Sequence, residues 1–329
     1  MKKYTLILFA SIFFANYIGC KTDGAIKDLP NNGSNVLEPK TNYKTKNVII
    51  IIMDGARYSE CWGDVTHQHI PNIANTIVPE GIVSTNFFNN GSTFTNPGHS
   101  AMTTGVYQNI NNGGAEIPQN PSIFNYYLQA SKKKPDACWV ITSKDKLQVL
   151  NNCTNKSWKD TYQPMTDCGN NGLASGYRHD TITLQHSLNI LKNYHPNISI
   201  INFREPDYTA HGADSLGYIK GIEDVDGYIK KIWDLVQSDT AFKDKTTLIV
   251  TNDHGRHLDG TANGYISHGD ECYGCRHINF FAYGPDFKKN TIVNTTYEQI
   301  DIPATIAELM GFKIPTGEGK VMWNFFNKK

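Results

Sequence analysis

The sequence predicts an α/β fold: a three-layer α/β/α sandwich around a mostly parallel, doubly wound central sheet. Three observations predict it. Short, unbroken runs of β-branched and aromatic residues recur along the chain, helical patterns stand between them, and acids and histidines fall directly behind several of the runs. Unbroken apolarity marks a strand covered on both faces, as in a parallel sheet. The intervening helices supply the cover.

The chain has 329 residues, with 31 basic and 31 acidic side chains. That length supports one large core, and zero net charge gives no sign of a nucleic-acid-binding surface. Lys2 and Lys3 precede an apolar run, Thr5 to Ala15. Asn16 and Tyr17 interrupt it short of the roughly 18–20 residues a spanning helix needs. The run ends in Tyr17-Ile18-Gly19-Cys20, which resembles a bacterial lipoprotein signal. Residues 1–20 are therefore read as a signal peptide with lipidation at Cys20, an ordinary secretory signal or uncleaved anchor being the alternative. This implies an exported protein, periplasmic or on the cell surface of a bacterium, that contacts the membrane through Cys20. Residues 21–45, polar and poor in apolar groups, read as a flexible tether. Residues 46–329 read as a single catalytic domain, in which the loop-like stretch 143–180 forms a small cap or excursion.

The first strand is Asn47–Met53, ending at Asp54-Gly55. Ala137–Thr142 repeats the form, as do Asn197–Phe203 before Arg204-Glu-Pro-Asp207, Thr246–Thr251 before Asn252-Asp253-His254-Gly255, and Ile278–Tyr283 before Gly284-Pro285. Helical patterns cover Pro97–Thr103, Ser122–Ala130, Thr181–Leu191, Ser215–Gln237 and Ile300–Met310. The clearest is Ser215–Gln237, whose Tyr218, Ile222, Val225, Tyr228, Ile229, Ile232 and Val236 share a stripe. Gly311 closes the last.

The carboxyl ends of parallel strands converge on one rim. Asp54, Asp207 and Asp253-His254 would meet there. Carboxylates crowded together repel one another, and cations between them remove the repulsion. Imidazole beside carboxylate suits zinc, with manganese second. Asp207 and His211, four apart, face one side of a turn, while adjacent Asp253 and His254 need a backbone bend that Gly255 permits. Thr95 lies in a strand-to-helix turn, Gly91-Ser-Thr-Phe-Thr95-Asn96-Pro97-Gly98-His99. A hydroxyl there is either an N-cap or a nucleophile facing backbone N–H groups that attract an anion.

These pieces together resemble the alkaline phosphatase superfamily, and within it the type I phosphodiesterase/nucleotide pyrophosphatase branch. The matching residues are Val48–Gly55, Thr95-x-Pro97-x-His99 with Thr103-Thr104-Gly105, Glu205-Pro206-Asp207-x3-His211-Gly212 and Asp253-His254-Gly255. Ser267-His268-Gly269 with Ala282–Lys288, and Gln299–Gly311, agree as well. The resemblance spans about residues 47–320 in order. It implies two divalent cations, most simply Zn2+ with Mn2+ as the alternative. Asp207, His211 and His268 would hold one, and Asp54, Asp253, His254 and the Thr95 oxygen the other. Thr95 would attack phosphorus and pass through a covalent phospho-enzyme, with the Asn96 backbone N–H as oxyanion donor and Asn112, in preference to Asn111, touching the phosphate.

His257 and His277 rival His268, and His268, Cys272, Cys275 and His277 also read as a structural zinc cluster. His99 reads as structural. Six cysteines follow Cys20, and Cys153–Cys168 and Cys272–Cys275 are the economical disulfide pairings in an oxidising compartment. Formylglycine sulfatases carry Cys or Ser where Thr95 stands and Arg where His99 stands, so formylglycine chemistry is disfavoured. The expected activity is hydrolysis of a small phosphate monoester or diester. The alternatives are phosphonate hydrolysis or head-group transfer on the same residues, and a non-catalytic ligand-binding lipoprotein.

Overall fold

The computed structural model describes residues 42–327. The expected signal, Cys20 and nearly all of the tether lie outside the described residues. No described helix is long and apolar enough to cross a membrane.

The strands are β1 Asn47–Met53, β2 Ile82–Ser84, β3 Phe87–Phe88, β4 Cys138–Thr142, β5 Met165–Cys168, β6 Ile198–Phe203, β7 Thr246–Thr251, β8 Phe280–Tyr283, β9 Thr291–Val293 and β10 Tyr297–Glu298. The helices are α1 Val78–Glu80, α2 Thr95–Thr104, α3 Ile123–Ser131, α4 Asp180–Tyr194, α5 Asp207–His211, α6 Ser215–Ser238, α7 Tyr273–Arg276 and α8 Asp301–Met310. Eight strands form one sheet in the order β5-β4-β6-β1-β7-β8-β2-β9, and β3 pairs with β10 separately. β4, β5, β6, β1 and β7 run parallel, whereas β8 runs antiparallel to both β7 and β2. That reversal sends the residues before β8, not those after it, to the rim where β7 ends.

β1 shows why the layers form. Val48, Ile50 and Ile52 enter one core with side chains of α2, α3 and α8. Ile49, Ile51 and Met53 enter the other, opposite α4 and α6. Alternate side chains of a strand face opposite sides, so a run apolar at every position is buried twice. Each fully covered isoleucine stabilises the fold by about 1.5–3 kcal/mol. The α6 stripe packs as its spacing dictates, with Tyr218, Ile222, Val225, Ile229 and Ile232 in the second core.

The stretch 143–180 differs from a simple cap: it contributes the edge strand β5, which pairs in parallel with β4. The expected disulfides are absent, since all six described cysteines are unbridged. Cys168 instead sits in the first core with its thiol 3.5 Å from the Val140 carbonyl.

Candidate active site

Register fixes the rim. Thr142 pairs with Asn202, Ile52 with both Asn202 and Thr251, and Met53 with Phe203, so β4, β6, β1 and β7 end together. The next residues, Ser143-Lys144, Asp54, Arg204 to Asp207 and Asn252 to His254, therefore meet.

Thr95 is the first residue of α2. The N-cap is Phe94, without a side-chain cap bond, so Thr95 does not serve as a cap. Its hydroxyl lies 3.2 Å from Lys144 Nζ. Gly98 lets the helix come close: a Cβ there would sit 2.5 Å from the Asp253 carbonyl oxygen. Gly255 is small for the same reason, its Cβ position lying 2.0 Å from the Gly274 carbonyl oxygen. Close packing, not the bend expected from sequence, explains Gly255, which is absent from the positive-φ residues.

Asp207, His211 and His268 converge. His211 Nε2 and His268 Nε2 lie 3.2 and 3.3 Å from Asp207 Oδ1 and 3.1 Å from each other. His268 Nδ1 donates to the Thr93 carbonyl at 2.8 Å, which leaves Nε2 its lone pair. The rivals are elsewhere: His277 Nε2 bonds the Thr85 carbonyl, and His257 Nε2 faces Asp270. Burial, and then His254, push the His268 pKa down to about 4, so the ring is a neutral donor at physiological pH.

Asp54, Asp253 and His254 are fully covered. His254 Nδ1 donates to the Gly255 carbonyl at 2.9 Å. Its Nε2 and Asp253 Oδ2 have no hydrogen-bond partner, and they lie 3.5 Å apart. Buried polar atoms nearly always find a partner. A paired lone pair and carboxylate oxygen left open, next to a second Asp-His-His group, fit divalent cations by geometry and donor chemistry.

Lys144, Arg256 and Lys146 also enter the site, and sequence reasoning missed all three. The buried Lys144 ammonium lies 2.8 Å from Asp54 Oδ1 and 2.6 Å from Asp207 Oδ2. Burial opposes its charge, but Asp207 and Asp54 outweigh this and raise its pKa. Asp207 is raised by burial, yet Lys144, His211, His268 and Arg256 hold it well below the usual carboxylate range. Asp54 is raised, first by burial and then by the Asp253 charge. Arg256 pairs with Asp207 through Nη1. Lys144 and Arg256 thus pair with Asp54 and Asp207, while Asp253 Oδ2 keeps no hydrogen-bond partner.

Asn112 Oδ1 accepts from the Asn96 N–H at 2.9 Å and from Lys146 Nζ at 3.2 Å. The expected oxyanion donor and the expected phosphate contact are therefore joined, beside Thr95; Asn111 instead bonds Gly113 and Glu116. His99 is buried, with Nδ1 2.8 Å from the Thr95 carbonyl and 3.4 Å from Asp253 Oδ2. It braces the Thr95 turn against a candidate ligand.

A family model described as Sulfatase matches residues 46–312. The chain belongs to the sulfatase family. This family lies within the alkaline phosphatase superfamily, and its members use divalent metals. The fold resembles the phosphonate monoester hydrolase SpPMH from Silicibacter pomeroyi at 14% identity and TM-score 0.60, covering 86% of this chain and 76% of that one. It resembles the lipoteichoic acid synthase LtaP from Listeria monocytogenes at 16% identity and TM-score 0.60, covering 88% and 78%. A protein in the alkaline phosphatase superfamily from Vibrio parahaemolyticus gives 13% identity and TM-score 0.61, covering 86% and 70%. Comparison with curated proteins gave no match. At these identities the likeness establishes a shared fold. Within the sulfatase family, this chain carries Thr95 and His99 at the start of α2.

Proposed function

We propose that the chain hydrolyses phosphate esters, monoesters or diesters, with Thr95 as nucleophile. The observation that carries this reading is the Thr95 hydroxyl at the first turn of a buried ten-residue helix, 3.2 Å from the Lys144 ammonium. Threonine is a secondary alcohol, and its oxidation cannot give the aldehyde that formylglycine chemistry requires. Direct attack by the hydroxyl on phosphorus remains open to it.

In this reading Asp207, His211 and His268 hold one divalent cation, and Asp54, Asp253, His254 and the Thr95 oxygen hold the second. Zinc suits these donors best, manganese next. Such cations supply positive charge to the nucleophile and to the departing oxygen. The Thr95 Oγ1–phosphorus bond forms as the bond to the ester oxygen breaks, and the alcohol leaves with the proton. Water then attacks phosphorus, the Thr95 bond breaks, and the threonine hydroxyl regains a proton. Lys144 stabilises negative charge on Thr95 Oγ1 throughout. In this reading Asn112, held by the Asn96 N–H and Lys146, contacts a phosphate oxygen. The carboxamide must release the Asn96 N–H before that N–H can serve the oxyanion.

Thr95→Ala is the direct test, read on bis-p-nitrophenyl phosphate, p-nitrophenyl phosphate and p-nitrophenyl sulfate with metal-replete protein. Loss of phosphoester turnover, and a trapped phosphothreonine in wild type, are expected. Equal rates in wild type and variant refute the nucleophile. Faster sulfate than phosphate hydrolysis refutes the substrate class.

The second reading is phosphonate monoester hydrolysis on the same residues, favoured by fold likeness to phosphonate monoester hydrolases. A phosphonate monoester added to the panel separates the two. Export and lipid anchoring at Cys20 belong to the same proposal. A fatty-acid label retained by Cys20→Ser would refute the anchor.

A further inference from the structure

A second convergence of donor groups lies beside the site and takes no part in it. His257, Asp270, Cys272 and Cys275 each offer one ligand atom, and these four atoms all lie within 4.8 Å of one another. His257 Nε2 is 3.0 Å from Asp270 Oδ2. Asp270 Oδ1 is already occupied by the Cys272 N–H at 3.1 Å, which turns Oδ2 inward. His257 Nδ1 lies 3.2 Å from Asn263 Oδ1 and 3.3 Å from Ser267 Oγ. An N–H donated from Nδ1 to the Asn263 oxygen fixes the tautomer and leaves the Nε2 lone pair facing the cluster, which is how ligating histidines are oriented. The Cys275 N–H points at Cys272 Sγ, 3.4 Å away. Neither thiol is bridged. His257 and Cys275 are buried.

We propose that these four side chains bind one divalent cation of the zinc class, as a structural site distinct from the catalytic centre. Tetrahedral zinc, with bonds of about 2.0–2.3 Å, places its ligand atoms roughly 3.3–3.8 Å apart, so the cluster needs only small shifts, with the His257–Asp270 pair moving slightly apart and the wider pairs closing. Two sulfurs and an imidazole select zinc over magnesium or calcium. Binding deprotonates both thiols and releases their protons. The proposed set differs from the His268, Cys272, Cys275 and His277 cluster expected from the sequence. His268 belongs to the catalytic cluster and His277 to the Thr85 carbonyl, while His257 and Asp270 take their places.

The position gives the cation a purpose. His257 follows the candidate ligand His254 by three residues and abuts Arg256, and Asp270 follows His268 by two. The loop between His257 and Asp270 is therefore closed at its neck. The neck is also held by main-chain bonds, Gly255 N–H to Cys275 O at 2.7 Å and His257 N–H to Ser267 O at 3.2 Å, and by the Arg256 guanidinium on the Tyr265 and Ile266 carbonyls. A metal there fixes the distance between the β7 end and the His268 loop.

The test uses full-length protein purified under reducing conditions. After chelation and reloading with cobalt, wild type should show thiolate-to-cobalt charge-transfer absorption in the near ultraviolet. Asp207→Asn should keep that band, and Cys272→Ser/Cys275→Ser should lose it together with about one zinc per chain. Residue-resolved alkylation of wild type needs no variant. Zinc should protect Cys272 and Cys275 from iodoacetamide, and a chelator should remove the protection. Absence of the band in reduced wild type, unchanged zinc content in the double variant, or alkylation indifferent to zinc overturns the proposal. A Cys272–Cys275 disulfide found by mass spectrometry in the native protein overturns it too.

Discussion

Replacing Lys144 with methionine keeps most of the side chain's volume and removes its charge. In the intact protein that ammonium is 2.8 Å from Asp54, 2.6 Å from Asp207 and 3.2 Å from Thr95 Oγ1. Two separable consequences follow. Without added metal, Asp54 loses the ammonium that pairs with it, and Asp207 keeps Arg256, His211 and His268. Breaking a buried ion pair on one side costs about 3–5 kcal/mol. At roughly 2–4 °C per kcal/mol for a large domain, the metal-free Tm should fall by the order of 10 °C. Saturating zinc should restore much of it, because the cation replaces the missing charge. Catalysis should not recover in the same way. A preorganised positive charge beside a developing oxyanion is worth about 10²–10³ in kcat. Turnover of bis-p-nitrophenyl phosphate at saturating zinc should therefore drop by about that factor, with wild-type-like metal content. The assay pairs calorimetry with and without chelator against steady-state kinetics. A Lys144→Met enzyme that keeps kcat within about threefold of wild type would show that this charge does not act on the nucleophile.

Other expectations follow from the same geometry. Chelation should abolish turnover and lower Tm, and zinc should restore both; full activity in rigorously metal-free protein would remove the cations from the reading. Burial, and then the Lys144 charge, push the Lys146 pKa down to about 8. Lys146 is therefore cationic below that pH and neutral above it, so kcat/KM for an anionic ester should fall as pH rises through about 8. Lys146→Met should flatten that limb, and an unchanged profile in the variant assigns the limb to another group. His268→Ala should cost activity and one metal, whereas His277→Ala should leave metal content unchanged; the reverse result would reassign the ligand. Ile50→Ala, emptying a fully buried position in β1, should lower unfolding free energy by about 2–5 kcal/mol in denaturant titration, and a loss under 1 kcal/mol would contradict the double-sided packing.

What the sequence discloses depends on how far a residue's role is local. The β1, β4, β6 and β7 runs are legible because burial on both faces demands apolar residues at every position. The rule that ligands gather behind parallel strands then locates Asp54, Asp207 and Asp253. The same rule reaches Lys144, two residues after β4, but a lysine behind a strand looks like ordinary surface charge until its neighbours are known. Its role is set by three residues 49 to 90 positions away. Arg256 is hidden similarly, since its burial is explained by Asp207 and by the Tyr265 and Ile266 carbonyls that its guanidinium meets in the folded chain. β2, β5 and β9, of three or four residues each, are too short to show periodicity, and the direction of β8 cannot be read from its composition. That direction matters most. Were β8 parallel to β7, the residues before it would lie at the opposite rim, far from Asp207. Because it is antiparallel, the segment from His268 to His277 returns to the rim where β7 ends. It supplies one histidine to the candidate metal pair and, with His257, gathers the second cluster beside it.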